Sequence, residues 1–133
     1  MAMEEALLTR LTGAAGIAVL AGNRVSWFGR QRGDAVPLVV LSKISPGREW
    51  THTGPDGLDR PRVQFDCYAA DTAAAAALGR AVQAVMETAA DVAGWRFHPA
   101  MIDRDEWIDL GEQDGGAPLF RVSQDYLFYH EEL

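Results

Sequence analysis

The strongest constraint on the fold is the strict alternation of apolar and polar side chains over residues 62–69. The apolar set falls on one face of an extended chain and comprises Val63, Phe65, Cys67 and Ala69. A period of two is typical of a strand with one buried face. Asp71 or Thr72 then caps an alanine-rich segment with apolar residues at helical spacing, which predicts a helix to about Ala90. Small alanine side chains indicate that this helix packs closely on the sheet.

More helices and strands are predicted along the chain before and after this strand–helix unit. Residues 3–12 place leucines on one helical stripe behind two first-turn glutamates, which predicts a first helix, and Gly13 and Gly16 are interpreted as its interruption. Strands are predicted at residues 24–28 and 38–44, with one or two more between 95 and 109, and a last strand over 119–130. The expected fold is α+β, with two helices on one face of a mostly antiparallel four- to five-stranded sheet, in the order α-β-β-β-α-β-β.

Composition excludes several classes of protein. The chain has 133 residues, of which 48% are hydrophobic, and this suits one compact domain over residues 1–133. Twelve basic and nineteen acidic residues give a net charge of −7, which disfavours direct binding to nucleic acid. The acidic N-terminus and the lack of a long apolar stretch predict neither a secretory signal nor a membrane span. The single cysteine requires no oxidising compartment, so folding in the cytoplasm is expected.

No catalytic or metal-binding pattern stands out, so we expect neither an enzyme nor a cofactor. Cys67 belongs to the apolar face of its strand, where a neutral thiol is inert. The acidic run around residues 103–106 is interpreted as a solvated edge that blunts strand pairing, rather than as an acid–base pair. The histidines lack the short-range spacing of metal motifs; they are His52, His98 and His130.

The unusual feature is the set of aromatic and basic residues outside the predicted core. Residues 45–61 predict a long exposed loop or an extended hairpin tip, and Trp50 lies in it beside Arg48 and His52. One interpretation is that the aromatic rings fold back over the core. The other is contact with a protein partner, because Trp, Tyr and Arg are enriched at the centres of interfaces. Aromatic residues on both faces of the last strand favour a neighbour on one side of the sheet.

Several segments together resemble the short tail completion proteins of long-tailed phages, a family similar to tail terminators. They are EEALL at residues 4–8, PLVVL at 37–41, REWTHTGP at 48–55, RPRVQFDCYA at 60–69 and FRVSQDY at 120–126. The resemblance spans nearly the whole chain. Gene transfer agents carry tails built in the same way, so the resemblance fits either kind of particle.

The resemblance implies a structural virion protein that caps the tail tube as a ring, commonly a hexamer, and forms the head–tail junction. The implied partners are other copies of the chain, the tail tube protein and a head-completion or neck protein, while DNA passes through the ring without specific binding. The implied location is the tail neck of a virion or phage-like particle, after synthesis in the host cytoplasm. Alternatives are another neck or head-closure adaptor and, from a different class, a small-molecule-binding α+β domain. The protein-interface candidates are Arg48, Trp50, His52, Arg60, Arg62, Tyr126 and Tyr129.

Overall fold

The computed structural model describes residues 2–29, 35–47, 50–51, 54–55, 59–113 and 115–133. The helices are α1 (Met3–Thr12), α2 (Ala15–Ala21) and α3 (Thr72–Met86). The strands are β1 (Val25–Trp27), β2 (Leu38–Ser45), β3 (Trp50–Thr51), β4 (Gly54–Pro55), β5 (Arg62–Ala69), β6 (Ala90–Val92), β7 (Trp95–Phe97), β8 (Met101–Glu112), β9 (Pro118–Leu127) and β10 (His130–Glu132). The predicted α+β class is confirmed, although the order of elements differs from the prediction.

A five-stranded sheet in the order β1-β2-β5-β9-β8 forms the centre of the fold. Its strands are antiparallel except for the parallel pair β1 and β2. The alternation in β5 places Cys67 between Val39 of β2 and Val122 of β9, and all three side chains are buried. The helices cover this apolar face, because burying it against a second layer removes the largest apolar surface from water.

Helix α2 is a third helix where the sequence analysis predicted two. Gly13 and Gly16 suggested an interruption, yet Gly16 lies within α2, on the side that faces Ala81 of α3. A Cβ atom at Gly16 would lie 3.8 Å from the Cβ of Ala81, which is ordinary van der Waals contact. Ile17 and Ala21 face inward and are fully buried. Packing against α3 therefore stabilises a seven-residue helix that would be marginal in isolation.

Helix α3 begins as predicted and ends earlier than predicted. The Asp71 carboxylate accepts a hydrogen bond of 2.7 Å from the Ala74 amide, and this satisfies one of the first free donors of the helix. At the other end the buried Arg10 of α1 donates to the carbonyl oxygens of Val85, at 2.5 Å, and Thr88. The Val85 carbonyl oxygen also accepts from the Thr88 amide at 3.2 Å, so the carbonyl groups at the end of α3 are bonded outside the helix, which ends at Met86.

A second sheet, in the order β10-β7-β6, divides the predicted final strand. The main-sheet strand β9 ends at Leu127, and the chain then re-pairs through β10 with β7, where His130 lies opposite Phe97. Phe97 and Phe128 are both buried, with ring centroids 6.3 Å apart. Burial of these two rings gives the second sheet an apolar contact with the same core.

Candidate functional site

The base of the long loop is fixed against the end of the chain. The Arg60 amide donates to the Gly47 carbonyl oxygen at 2.8 Å, and the His130 amide donates to the Asp59 carbonyl oxygen at 3.1 Å. The Arg60 guanidinium lies 5.7 Å from the centre of the Tyr129 ring, within range of a cation–π interaction. The fold thus brings the candidates Arg60 and Tyr129 together on the surface, and both side chains are exposed.

Within the loop, strands β3 and β4 form a short hairpin. Trp50 pairs with Pro55, and Thr51 pairs with Gly54, in antiparallel register. This arrangement agrees with the extended hairpin tip that the sequence predicted. The backbone of candidate Trp50 lies in this hairpin, whereas candidates Arg48 and His52 lie outside the described residues.

The sheet face opposite the helices is polar, and candidate Arg62 is one of its central residues. Arg62 donates to a carboxylate oxygen of Asp125 at 3.1 Å and to the carboxylate of Asp103. Arg104 reaches the same Asp125 at 3.1 Å and also donates to the Ser123 hydroxyl at 2.5 Å. Hydrogen bonding to Asp125 raises the pKa of Arg104. These contacts hold both guanidinium groups in fixed positions. We name this side of the sheet, opposite the helices, the polar face.

Most residues of the polar face were not predicted as a site from the sequence. Its other members lie at alternate positions of β5, β8 and β9; they are Gln64, Asp66, Glu106 and Arg121. Polar residues recurring every second position were the available signal. Which of these side chains contact each other depends on the register of the strands, and the sequence alone does not give that register.

Candidate Tyr126 lies in the core, not on the surface. Its side chain has 0% exposure and packs edge-on against Phe65, with ring centroids 5.2 Å apart. Its hydroxyl donates to Gln124 at 2.9 Å, and the Gln124 amide donates in turn to the Gly79 carbonyl oxygen of α3 at 3.1 Å. Tyr126 is one of the β9 side chains that face the helices, so its burial stabilises the fold of the single chain and leaves no surface for a partner.

The two outer strands of the five-stranded sheet are β1 and β8. Phe28, which directly follows β1, is 65% exposed and has a left-handed backbone conformation with φ 54°. On β8, Met101 and Trp107 are 57% and 52% exposed. Exposed rings of this size at sheet edges favour contact with another polypeptide.

Reactive groups are sparse in the part of the chain that the structure describes. Cys67 is fully buried, and burial raises the pKa of its thiol. His98 lies 3.1 Å from a carboxylate oxygen of Glu131, and burial lowers the pKa of His130. The described residues contain no group of three or more side chains placed to bind a metal ion. Among the described helices, none is long and apolar enough to cross a membrane.

Two cavities lie beside the outer strands. One, of about 240 Å³, is lined by residues 23–26, Ala35 and Leu38 at the β1 side. The other, of about 200 Å³, lies between the start of α3 and Trp107 of β8. Both are smaller than the roughly 300 Å³ at which small-molecule pockets usually begin.

Comparisons with known proteins place this geometry in context. The family model described as "Tail completion protein gp17" matches residues 5–131. No curated protein matches the chain. Among solved structures, a chain from "Virion of native gene transfer agent (GTA) particle" is similar, with a TM-score of 0.65 and 18% identity. That similarity covers 98% of this chain and 95% of the other, so the two share the fold over almost their full lengths.

Proposed function

From the premise that the chain belongs to the tail completion protein gp17 family, and so is a structural protein of the virion tail, we propose that it is a tail terminator. In this role six copies close the tail tube as a ring and form the head–tail junction. One side of the ring contacts the tail tube protein, and the other contacts a head-completion or neck protein. DNA passes through the ring without specific binding, and no catalytic step is involved.

The mechanism is geometric closure. A head-to-tail contact between identical subunits gives a finite ring when its rotation closes, and an open filament when it does not. One axial side of the ring offers the contact that a tube subunit offers its successor, and the other side lacks it. Addition of further tube subunits ends there.

The observation that carries this proposal is the family match over residues 5–131. The geometry adds two supporting features. The loop base is fixed through Asp59, Arg60 and Tyr129, so the loop has a defined origin on the subunit. The outer strands β1 and β8 also carry exposed rings, whereas the adjacent cavities are small for a ligand-binding domain.

The test is to produce particles without the chain and to complement them with variants. We expect tails of irregular length and few joined heads without the chain, and wild-type complementation restores both. Arg48→Ala, Trp50→Ala and Arg60→Ala should reproduce the defect. Arg80→Ala, an exposed arginine on α3, is the matched control and should leave tail length unchanged.

Electron microscopy of tail length, together with infectivity or transfer, provides the measurement. Normal particles from Arg48→Ala and Trp50→Ala would contradict the role of the loop. Normal tail length with detached heads in the absence of the chain would instead favour a head-closure adaptor.

A further inference from the structure

The outer strands β1 and β8 run in opposite directions. β1 is parallel to β2, and each of the next three pairings in the sheet is antiparallel. In a ring, rotation about an axis along the strands keeps the strand directions of every copy. The β8 strand of one copy would therefore meet the β1 strand of the next in antiparallel orientation, which extends the sheet without reversing a subunit.

The two edges also differ in charge. Strand β8 carries five acidic residues and one arginine over Met101–Glu112. Asp103 and Glu106 are paired with Arg62 and Arg104 of the same copy, whereas Asp105 and Asp109 are also exposed on this strand. At the other edge, Arg24 precedes β1 and is exposed. Opposite charges favour contact between unlike edges and disfavour pairing of β8 with a second β8.

Apolar surface is available on both edges. Phe28 at the end of β1 and Trp107 of β8 are each more than half exposed, and a cavity borders each strand. The positive φ of Phe28 is costly for a bulky residue, by roughly 1–3 kcal/mol, and such conformations cluster at binding sites. A neighbouring copy would cover both rings and fill the adjacent space.

We propose that β8 of one copy docks antiparallel against β1 of the next, so that the subunit contact of the ring is a continuous sheet bordered by Trp107 and Phe28. This inference rests on the proposed ring-forming function and specifies the contact that closes the ring. The occupant of each edge is a second copy of this chain.

The test blocks one edge at a time in the full chain. Phe28→Glu blocks the β1 edge and keeps the β8 edge intact. Trp107→Glu blocks the β8 edge and keeps the β1 edge intact. At concentrations where the wild type forms rings, each variant alone should be monomeric, with at least a tenfold weaker self-association. An equimolar mixture has one productive contact, so it should form heterodimers and nothing larger. Analytical ultracentrifugation and native mass spectrometry distinguish these species.

A second pair guards against local misfolding. Arg24→Glu and Asp105→Lys change charges on exposed side chains, and each variant alone should be monomeric because its two edges then carry like charges. An equimolar mixture restores opposite charges at both kinds of contact, so it should form mixed rings. Val19→Glu on α2 is the matched control, since Val19 is 84% exposed and lies on neither edge. This variant should form rings like the wild type, and circular dichroism should show that all five variants are folded.

Several outcomes would overturn the contact. These are a wild-type chain that stays monomeric at every concentration, rings formed by the mixture of Phe28→Glu and Trp107→Glu, mixtures of either pair that remain monomeric, and dimers of Phe28→Glu alone, which would show β8 pairing with itself. If rings persist in all the blocked variants, the proposed contact between β8 and β1 is wrong, but the proposal that the chain forms a ring stands. Failure of the terminator function would appear separately, as normal tails in particles that lack the chain.

Discussion

Replacement of Gly47 by alanine tests whether the close approach at the loop base fixes the loop. Gly47 has φ +61°, and an added Cβ would lie 1.6 Å from the Arg60 carbonyl oxygen. This oxygen belongs to the backbone, so the two chain segments must separate. The left-handed conformation costs alanine about 1–2 kcal/mol. Loss of the hydrogen bond from the Arg60 amide to Gly47 adds about 1 kcal/mol.

The expected total of about 2–3 kcal/mol corresponds to a fall of roughly 30- to 150-fold in hydrogen-exchange protection of the Arg60 amide. Gly94→Ala is the matched control, because Gly94 has φ +84° and nothing lies within 4 Å of its added Cβ. It carries the backbone cost without the collision and should leave the Arg60 amide protected. Equal protection of Arg60 in both variants would refute the reasoning, since the close approach would then have no energetic consequence.

Three further predictions concern the protomer. Tyr126→Phe leaves the buried Gln124 oxygen without its donor and should lower the free energy of unfolding by about 1–2 kcal/mol in urea titrations, with ring formation unchanged. Asp125→Asn removes the charge shared by two arginines and should cost about 1–2 kcal/mol, whereas the exposed control Asp91→Asn should leave the unfolding midpoint unchanged. Burial lowers the pKa of His130, so the unfolded state binds its proton more readily; stability should fall as pH drops below about 6.5, with a smaller slope in His130→Phe.

The strand–helix unit at the centre of the chain could be predicted because its signals are local. The alternation over Arg62–Ala69 and the cap at Asp71 each depend on residues a few positions apart, and both occur as expected. Helix α2 was missed because Gly16 was interpreted as an interruption, although burial of Ile17 and Ala21 in the core stabilises the helix around it. The end of α3 was misjudged because its carbonyls are satisfied by Arg10, which lies 75 positions away from Val85.

For the candidate interface residues too, the positions that depend on local signals could be predicted, and those that depend on contacts distant in the sequence could not. Tyr126 shares the alternation of Val122, whose side chain is buried, so the pattern itself indicated a position in the core. Arg60 and Tyr129 come together through a contact across 69 positions, which the sequence gives no means to locate. The polar face likewise depends on register between three strands.

The acidic character of β8 determines which assemblies are available to this subunit. A long outer strand is a template for pairing with any other strand, and like charges on two copies of β8 oppose their association. In the proposed contact the same charges attract the β1 edge, where Arg24 is exposed, so that unlike edges meet. A contact between unlike surfaces leaves each new subunit with one free edge, and only closure into a ring satisfies the last one. In that arrangement the exposed carboxylates of Asp105 and Asp109 would both oppose pairing of β8 with a second β8 and select the β1 edge as its partner.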